Sequence, residues 1–258
     1  MPVRVMSCNI RCDHGGDGAN NWVHRRDLCV EVMQSRRPDI LCCQEVWASQ
    51  AADLRRALAG YAWMGTIDEP DGRGPVNSIF YRSDRFRPTS AGAYWLSQTP
   101  HVCGSRSWDS RCVRLATWAR LLDGESGREV RIVNTHLDHV SQPAREGQAA
   151  VLNEDAAAYG ETFAQILTGD MNAGPENPAI ACFGGAGWRD TWQAARGEDD
   201  PGPTFHGFRG PAYDGPEGRI DWIFMRGPVR ATAAEVVTDH RDGRYPSDHH
   251  FITADVEL

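Results

Sequence analysis

Residues 113–137 read VRLATWARLLDGESGREVRIVNTHL. Two strand-like runs are visible there, VRLATWARLLD (113–123) and REVRIVNTHL (128–137), each built from aliphatic, aromatic and β-branched residues. They follow NSIFYR (77–82) and AGAYWLS (91–97), so the middle of the chain reads as a meander of strands. The earlier part differs. VRVMSCNI (3–10) and DILCCQE (39–45) alternate with helical patterns: RRDLCVEVMQSR (25–36) places Leu28, Val32 and Cys29 on one face before Pro38 ends it, and QAADLRRALAG (50–60) stops at a glycine. AREGQAAVLNEDAAAYG (144–160) is Ala-rich and periodic. FAQILTGD (163–170), RIDWIFM (219–225), RATAAEVVT (230–238) and the closing stretch after SDHH complete the strand set. Many strands and few helices suit an α/β fold with a mixed two-sheet core and helices outside it. No linker, repeat or low-complexity tract divides the chain, so residues 1–258 are expected to form a single domain.

Composition narrows the chemistry. Hydrophobic residues make up 41% of the 258, with nine Trp, enough for a substantial core. A net charge of −8 gives no basic footprint for non-specific nucleic-acid binding. All 27 basic residues are Arg, which excludes a Schiff-base lysine, a pyridoxal-phosphate anchor and a P-loop lysine. The eight Cys are scattered without the C-x-x-C spacing of a zinc module, and several sit in apolar runs such as ILCCQ. The N-terminus reads as a strand from its third residue, and no apolar run approaches a membrane span. A cytoplasmic protein with no membrane association and no obligatory protein partner is the expectation.

Acids, amides and imidazoles recur where the strands end: Asn9 in SCNIR, Glu45 in CCQEV, His136 in NTHLD, Asp170 and Asn172 in TGDMN, and Asp248 and His249 in PSDHH. Taken singly, each has an ordinary explanation as a cap, a helix start or a turn residue. Asp221 is different, because it stands between Ile220 and Trp222, where an unpaired carboxylate is costly. An imidazole is an obvious partner, and His249 can supply it if the strand of Asp221 and the closing strand run side by side. The carboxylate then fixes the tautomer of the ring and raises its basicity. His250 is expected to face the other way. The Gly/Pro-rich stretch 195–218, with its interspersed aromatics, reads as a lid or substrate wall.

SCNIR, DILCCQEV, VNTHLD, LTGDMNAGP, RIDWIF and SDHH, in that order and at these separations, resemble the endonuclease/exonuclease/phosphatase superfamily of metal-dependent phosphoesterases. The resemblance spans nearly the whole chain. It implies a four-layer α/β sandwich, two packed mixed β-sheets flanked by helices. It also implies that Glu45 is the principal Mg²⁺ or Mn²⁺ ligand, with Asn9 and Asp248 completing the metal region. Asp170 is implied as the group that orients or deprotonates the attacking water, Asn172 as its support or a phosphate contact, and His136 as a phosphate contact. His249, paired with Asp221, is implied as the stabiliser of the phosphorus centre.

A hard cation on oxygen ligands neutralises the charge that phosphoester hydrolysis builds, and carboxylate and amide ligands favour Mg²⁺ or Mn²⁺ over zinc. The segment 94–121, HLDH and TFHGF resemble a bacterial subgroup of mostly uncharacterised family members, related to deadenylase-like nucleases and small-molecule phosphatases. Arg106, Arg111 and Arg114 either clamp a phosphate or serve as surface charge, with Arg114 the strongest candidate. Asp138, His139 and His206 are candidates for the rim of the site. The expected substrate is a phosphorylated small molecule, nucleotide or sugar phosphate. A nuclease is the alternative, and a non-catalytic binding protein on the same fold is the more distant one. No G-x-S-x-G, G-x-G-x-x-G or H-E-x-x-H motif points elsewhere.

Overall fold

A computed structural model of the chain describes residues 1–197, 200–216 and 218–258. The first sheet opens with β1 (Val3–Asn9), β2 (Ile40–Val46), β3 (Tyr61–Met64) and β4 (Val76–Arg82). The chain then builds a second sheet from β5 (Phe86–Trp95), β6 (Leu115–Asp123), β7 (Glu129–His136), β8 (Ala164–Asp170), β9 (Arg189–Asp190) and β10 (Asp221–Arg226). It returns to the first sheet with β11 (Arg230–Val237) and β12 (Phe251–Glu257). The strand orders are β11-β12-β1-β2-β4-β3 and β5-β6-β7-β8-β10-β9, and both sheets are mixed.

Helices α1 (Trp22–Arg36) and α2 (Ala48–Ala57) cover the outer face of the first sheet, burying Cys29, Val32, Met33 and Leu54 against Met6, Cys8, Leu41 and Cys43. Helices α3 (Gln142–Ala157) and α4 (Pro178–Gly185) cover the second, setting Ala149, Leu152, Ile180 and Phe183 against Val133, Leu167, Trp222 and Phe224. Ser141 caps α3 by accepting from Ala144 N at 3.2 Å, and Asn177 caps α4 by accepting from Ala179 N at 2.9 Å. A short helix, α5 (Thr191–Arg196), packs against β10 and β11. This is a four-layer α/β sandwich. Among the described residues no helix is long and apolar enough to cross a membrane.

The layer between the sheets changes character along its length, and that gradient positions the site. Alternation along a strand sends every second side chain to one face. On β1 that face carries Val3 and Val5, then Ser7 and Asn9; on β2, Ile40 and Cys42, then Gln44. On β7 the series is Val130, Ile132, Asn134, His136, and on β8 it is Ala164, Ile166, Thr168, Asp170. One end of the layer is apolar. In the middle, Gln44 Nε2 donates to Ser7 Oγ (3.1 Å) and across to Asn134 Oδ1 (2.6 Å). Asn134 Nδ2 donates to the carbonyls of Cys43 and Ser78, both at 2.9 Å. These buried bonds join the two sheets, and beyond them the layer ends in acids and imidazoles.

Two expectations need correction. Asp221 is the first residue of β10 rather than an interior one, and β10 lies between β8 and β9 in the second sheet. The closing strand β12 lies between β11 and β1 in the first sheet, so the two strands are not neighbours. Asp221 meets His249 across the sandwich, because the residues preceding β12 reach over the end of the layer. Strands β3 and β9 and helices α4 and α5 also escape a periodicity reading, being short or, in α4, dominated by small residues.

Candidate active site

The register gathers the strand ends. Across the parallel pair β7–β8, His136 is opposite Asp170, and across the antiparallel pair β8–β10, Asp170 is opposite Asp221. Gly169 makes this approach possible. Its φ is +155°, and a Cβ there would lie 2.1 Å from the carbonyl oxygen of Thr135, so only glycine fits.

Glu45 enters from the facing sheet by a different device. Plain alternation would send it with Leu41 and Cys43 to the helix-covered face. The pairing of β2 with β4 slips between Cys43 and Val46, and Glu45 takes a φ of +61°. A bulge of this kind re-aims a side chain, and the left-handed conformation of a non-glycine residue costs about 1–3 kcal/mol. The turned carboxylate accepts from Asn9 Nδ2 at Oε1 and from the Cys12 N–H at Oε2, both at 3.0 Å.

Asn9 braces the centre. The same Nδ2 donates to Asp170 Oδ2 at 3.0 Å, while its Oδ1 accepts from the Arg11 N–H at 3.0 Å. Asp170 Oδ2 also lies 3.3 Å from His136 Nε2 and 3.8 Å from His249 Nε2, and its Oδ1 accepts from the Asn172 N–H at 2.9 Å. Asn172 Nδ2 donates to Leu137 O at 2.9 Å, tying the loop after β8 to the end of β7. His249 Nδ1 stands 2.9 Å from Asp221 Oδ2, with both side chains buried.

The charges follow from these contacts. Burial, and then the charge of Asp221, push the Asp170 carboxyl up to about 7. Burial works against a charged His249, but the attraction and hydrogen bond of Asp221, with Asp170 and Asp248 behind them, raise it to about 10. His249 is therefore an imidazolium at neutral pH, whereas His136 is pushed well below its ordinary value by burial and the nearby Arg114 charge and is neutral. Burial also opposes ionisation of Glu45, yet the Asn9 hydrogen bond, the His249 charge and the Cys12 N–H hold it below the usual carboxylate range. Burial raises Asp248. Its Oδ1 accepts from Ser247 Oγ at 3.2 Å, and Arg11 Nε lies 3.7 Å from its Oδ2.

Other candidates lie around this centre. Arg114 is buried beside His139, with its Nη2 3.4 Å from His139 Nδ1. Asp138 is fully buried and saturated: Oδ2 accepts from Ser110 Oγ and the N–H groups of Arg111 and Cys112, and Oδ1 from those of Val140 and Ser141. It fastens the 106–112 loop to the end of β7. Arg106 donates to the carbonyls of Ser110 and Arg111 within that loop.

His206 is buried between the rings of Tyr245 and His250, its N–H donates to Asp248 O at 2.8 Å, and burial with its His250 neighbour lowers it to about 3. It anchors the long loop: Phe205 meets the His249 ring edge-on at 5.1 Å, and Thr204 Oγ1 accepts from the N–H groups of Ile220 and Asp221. That part of 195–218 forms a wall of the site, and residues 198, 199 and 217 lie outside the described ones.

Arg25 is a positioning residue that the sequence did not signal. From α1 its guanidinium donates to the carbonyls of Ile10 (2.5 Å), Arg11 (2.7 Å), Asn20 (2.8 Å) and Pro246 (2.9 Å), joining the turns that carry Asn9 and Asp248. Ser247 Oγ adds a bond to Asn9 O at 2.7 Å.

The profile of the endonuclease/exonuclease/phosphatase family matches residues 6–249. The chain belongs to the endonuclease/exonuclease/phosphatase family. A family member of known structure from Bacteroides vulgatus is 32% identical, superimposes with a TM-score of 0.91, and the match covers 100% of this chain and 99% of that one. A mannosyl-6-phosphatase from Bacteroides thetaiotaomicron is 29% identical with a TM-score of 0.90, covering 99% of this chain and 100% of that one. Among curated proteins, Nocturnin from Xenopus laevis is 26% identical over 70% of this chain, and the chain spans 50% of its length.

For a member of the endonuclease/exonuclease/phosphatase family, the donor set fits a hard divalent cation. Glu45, His136 and Asp170 each present a ligand atom, all within 4.8 Å of one another. Glu45, Asp170 and Asp248 bring several carboxylates into one poorly solvated place, where a cation relieves their repulsion.

Proposed function

We propose that this family hydrolase is a Mg²⁺- or Mn²⁺-dependent phosphoesterase acting on a phosphorylated small molecule. The observation that carries the reading is a base and a cation set side by side around one buried carboxylate. Burial, and then the charge of Asp221, raise Asp170 to about 7, while, against burial, Asp221 raises His249 to about 10. Two titratable groups set apart in this way, 3.8 Å from each other, are suited to opposite roles at the same pH.

In the proposed reaction, Asp170 Oδ2 accepts a proton from water as the water oxygen adds to phosphorus, and the bond from phosphorus to the alcohol oxygen breaks on the opposite side. The departing oxygen takes a proton from solvent, and Asp170 returns its proton to solvent as phosphate leaves. The imidazolium of His249 balances charge on the phosphoryl oxygens. Neutral His136 offers an N–H to the same group, and Asn9 and Asn172 hold Asp170 in place. When bound by Glu45, with Asp248 alongside, the divalent cation supplies neutralisation of the phosphate and of the departing oxygen. We assign Asn9 and Asp138 to positioning rather than to substrate contact, since their polar atoms are occupied within the protein, and His206 likewise, since its ring is packed between Tyr245 and His250.

A small substrate is favoured by the net charge of −8, which opposes approach of a nucleic-acid strand. It is also favoured by the near full-length likeness to a sugar-phosphate phosphatase. The test is Mn²⁺-supported hydrolysis of matched monoester, diester and oligonucleotide substrates by the wild type, Asp170→Asn and His249→Ala. The reading expects monoester turnover that falls about 10²–10⁴-fold in each variant. Oligonucleotide cleavage without monoester turnover would instead establish the nuclease alternative.

A further inference from the structure

Beyond the catalytic cluster, on the His136 side, two buried groups of opposite charge lack partners. Asp68, in the loop between β3 and β4, is 4% exposed, and Arg114, just before β6, is 7% exposed. Asp68 Oδ1 and Arg114 Nε are buried without a hydrogen-bond partner. Among the described residues the one side-chain bond of Arg114 is the 3.4 Å contact with His139.

The two side chains sense each other's charge, as Arg114 also senses His136, but they do not close into an ion pair. Burial holds the Asp68 carboxyl well above its ordinary range, with Arg114 acting in the other direction. Each buried unsatisfied polar group costs about 1–3 kcal/mol, so two within reach of each other's charge call for an explanation. Their backbones are fixed: Trp95 Nε1 donates to Asp68 O at 2.8 Å, and Leu96 N to Arg114 O at 2.8 Å.

We propose that Asp68 and Arg114 form a subsite for the hydroxyl groups on the alcohol part of the ester, selecting phosphates of sugars and other polyols. A hydroxyl donates to a carboxyl oxygen and accepts from a guanidinium through a single oxygen, so it satisfies both residues at once. An alkyl chain leaves both unpaired. Arg114 lies next to His136, which places the subsite beside the reacting phosphate, and exposed His139 forms its rim.

The proposal rests on the phosphoesterase reading above. Its test compares glucose, mannose and galactose 6-phosphates with n-hexyl phosphate in Mn²⁺, using the wild type, Asp68→Ala and Asp68→Asn. All are phosphates of primary alcohols, so the substrates differ in hydroxyls rather than in leaving oxygen. The wild type is expected to favour at least one hexose phosphate by about 10²-fold or more in kcat/KM. Asp68→Ala should lower that ratio by at least about tenfold, with Asp68→Asn between. The ratio cancels the fraction of folded enzyme, so a generally damaged variant does not imitate the effect. A wild-type ratio near one, or a ratio unchanged in both variants, overturns the subsite and leaves the phosphoesterase reading standing. Hydrolysis of neither class by the wild type overturns both.

Discussion

Replacing Asp221 by Asn keeps the shape of the side chain and removes its charge from between Asp170 and His249. His249 is raised from 6.5 to about 10, a preference for the imidazolium of about 5 kcal/mol at 1.36 kcal/mol per pH unit. Asp221 is the leading source of that preference, and without it burial acts against the charged ring with only Asp170 and Asp248 in opposition. The ring should then titrate near or below pH 7. Asp170 moves the same way, because the Asp221 charge is part of what raises it to about 7.

The signs are distinct. A group needed as its cation loses activity as pH rises through its pKa, and a group needed as its anion loses activity as pH falls through its own. Both limbs of the pH–rate profile should therefore shift to lower pH in Asp221→Asn, and kcat/KM at pH 8 should fall about 10²–10⁴-fold. Titration of the histidine Cε1–H resonances, with His249→Gln to assign the signal, reads the imidazole directly. A His249 resonance that still titrates above pH 9 in Asp221→Asn would refute the reasoning, as would limbs that stay in place.

Three further outcomes follow from the supports of the site. Arg25→Met removes the donor shared by four carbonyls and should cost about 3 kcal/mol in urea unfolding; a loss under 1 kcal/mol contradicts the role given to Arg25. Gly169→Ala should destabilise the fold by more than about 2 kcal/mol, because its Cβ meets Thr135 O, whereas Gly184→Ala on α4, with nothing within 4 Å, should be neutral or mildly stabilising in the same thermal melts. For Asp138, burial is outweighed by the N–H groups of Ser141, Val140 and Cys112 and by Ser110 Oγ, which hold its carboxyl at about 2. A lowered folded-state value gives stability that is present above about pH 4 and lost as pH falls towards 2, about 2 kcal/mol here. Acid unfolding of Asp138→Asn should lack that component.

Much of the site was legible because strand alternation is a strict rule. Asn9, His136 and Asp170 follow apolar residues four and six positions away that face the inter-sheet layer, so their side chains arrive at its end together. Asp221 was legible as a carboxylate in need of a partner, and His249 as that partner. Their meeting across opposite sheets was not, since strand order depends on contacts distant in sequence. Glu45 shows the limit of the alternation rule, for it reaches the centre only through the bulge and its left-handed backbone, and the family resemblance rather than periodicity pointed to it. Asp138 and His206 were recognised as polar residues near the site, but the saturation of one and the ring stacking of the other are tertiary facts. Arg25 left no trace, because an arginine on an amphipathic helix ordinarily faces solvent. Asp68 was silent for the related reason that its burial comes from the loops around it.

The central claim is that the polar end of the inter-sheet layer hydrolyses phosphoesters with a divalent cation held at Glu45. The direct measurement is phosphate release from a monoester by chelator-treated protein as Mg²⁺ or Mn²⁺ is restored, in the wild type and in Glu45→Ala. The account predicts no turnover after chelation, recovery that saturates with added metal, and at least about 10²-fold lower activity in Glu45→Ala at the same metal concentration. Turnover that persists after chelation, or a Glu45→Ala protein that recovers as the wild type does, would contradict it.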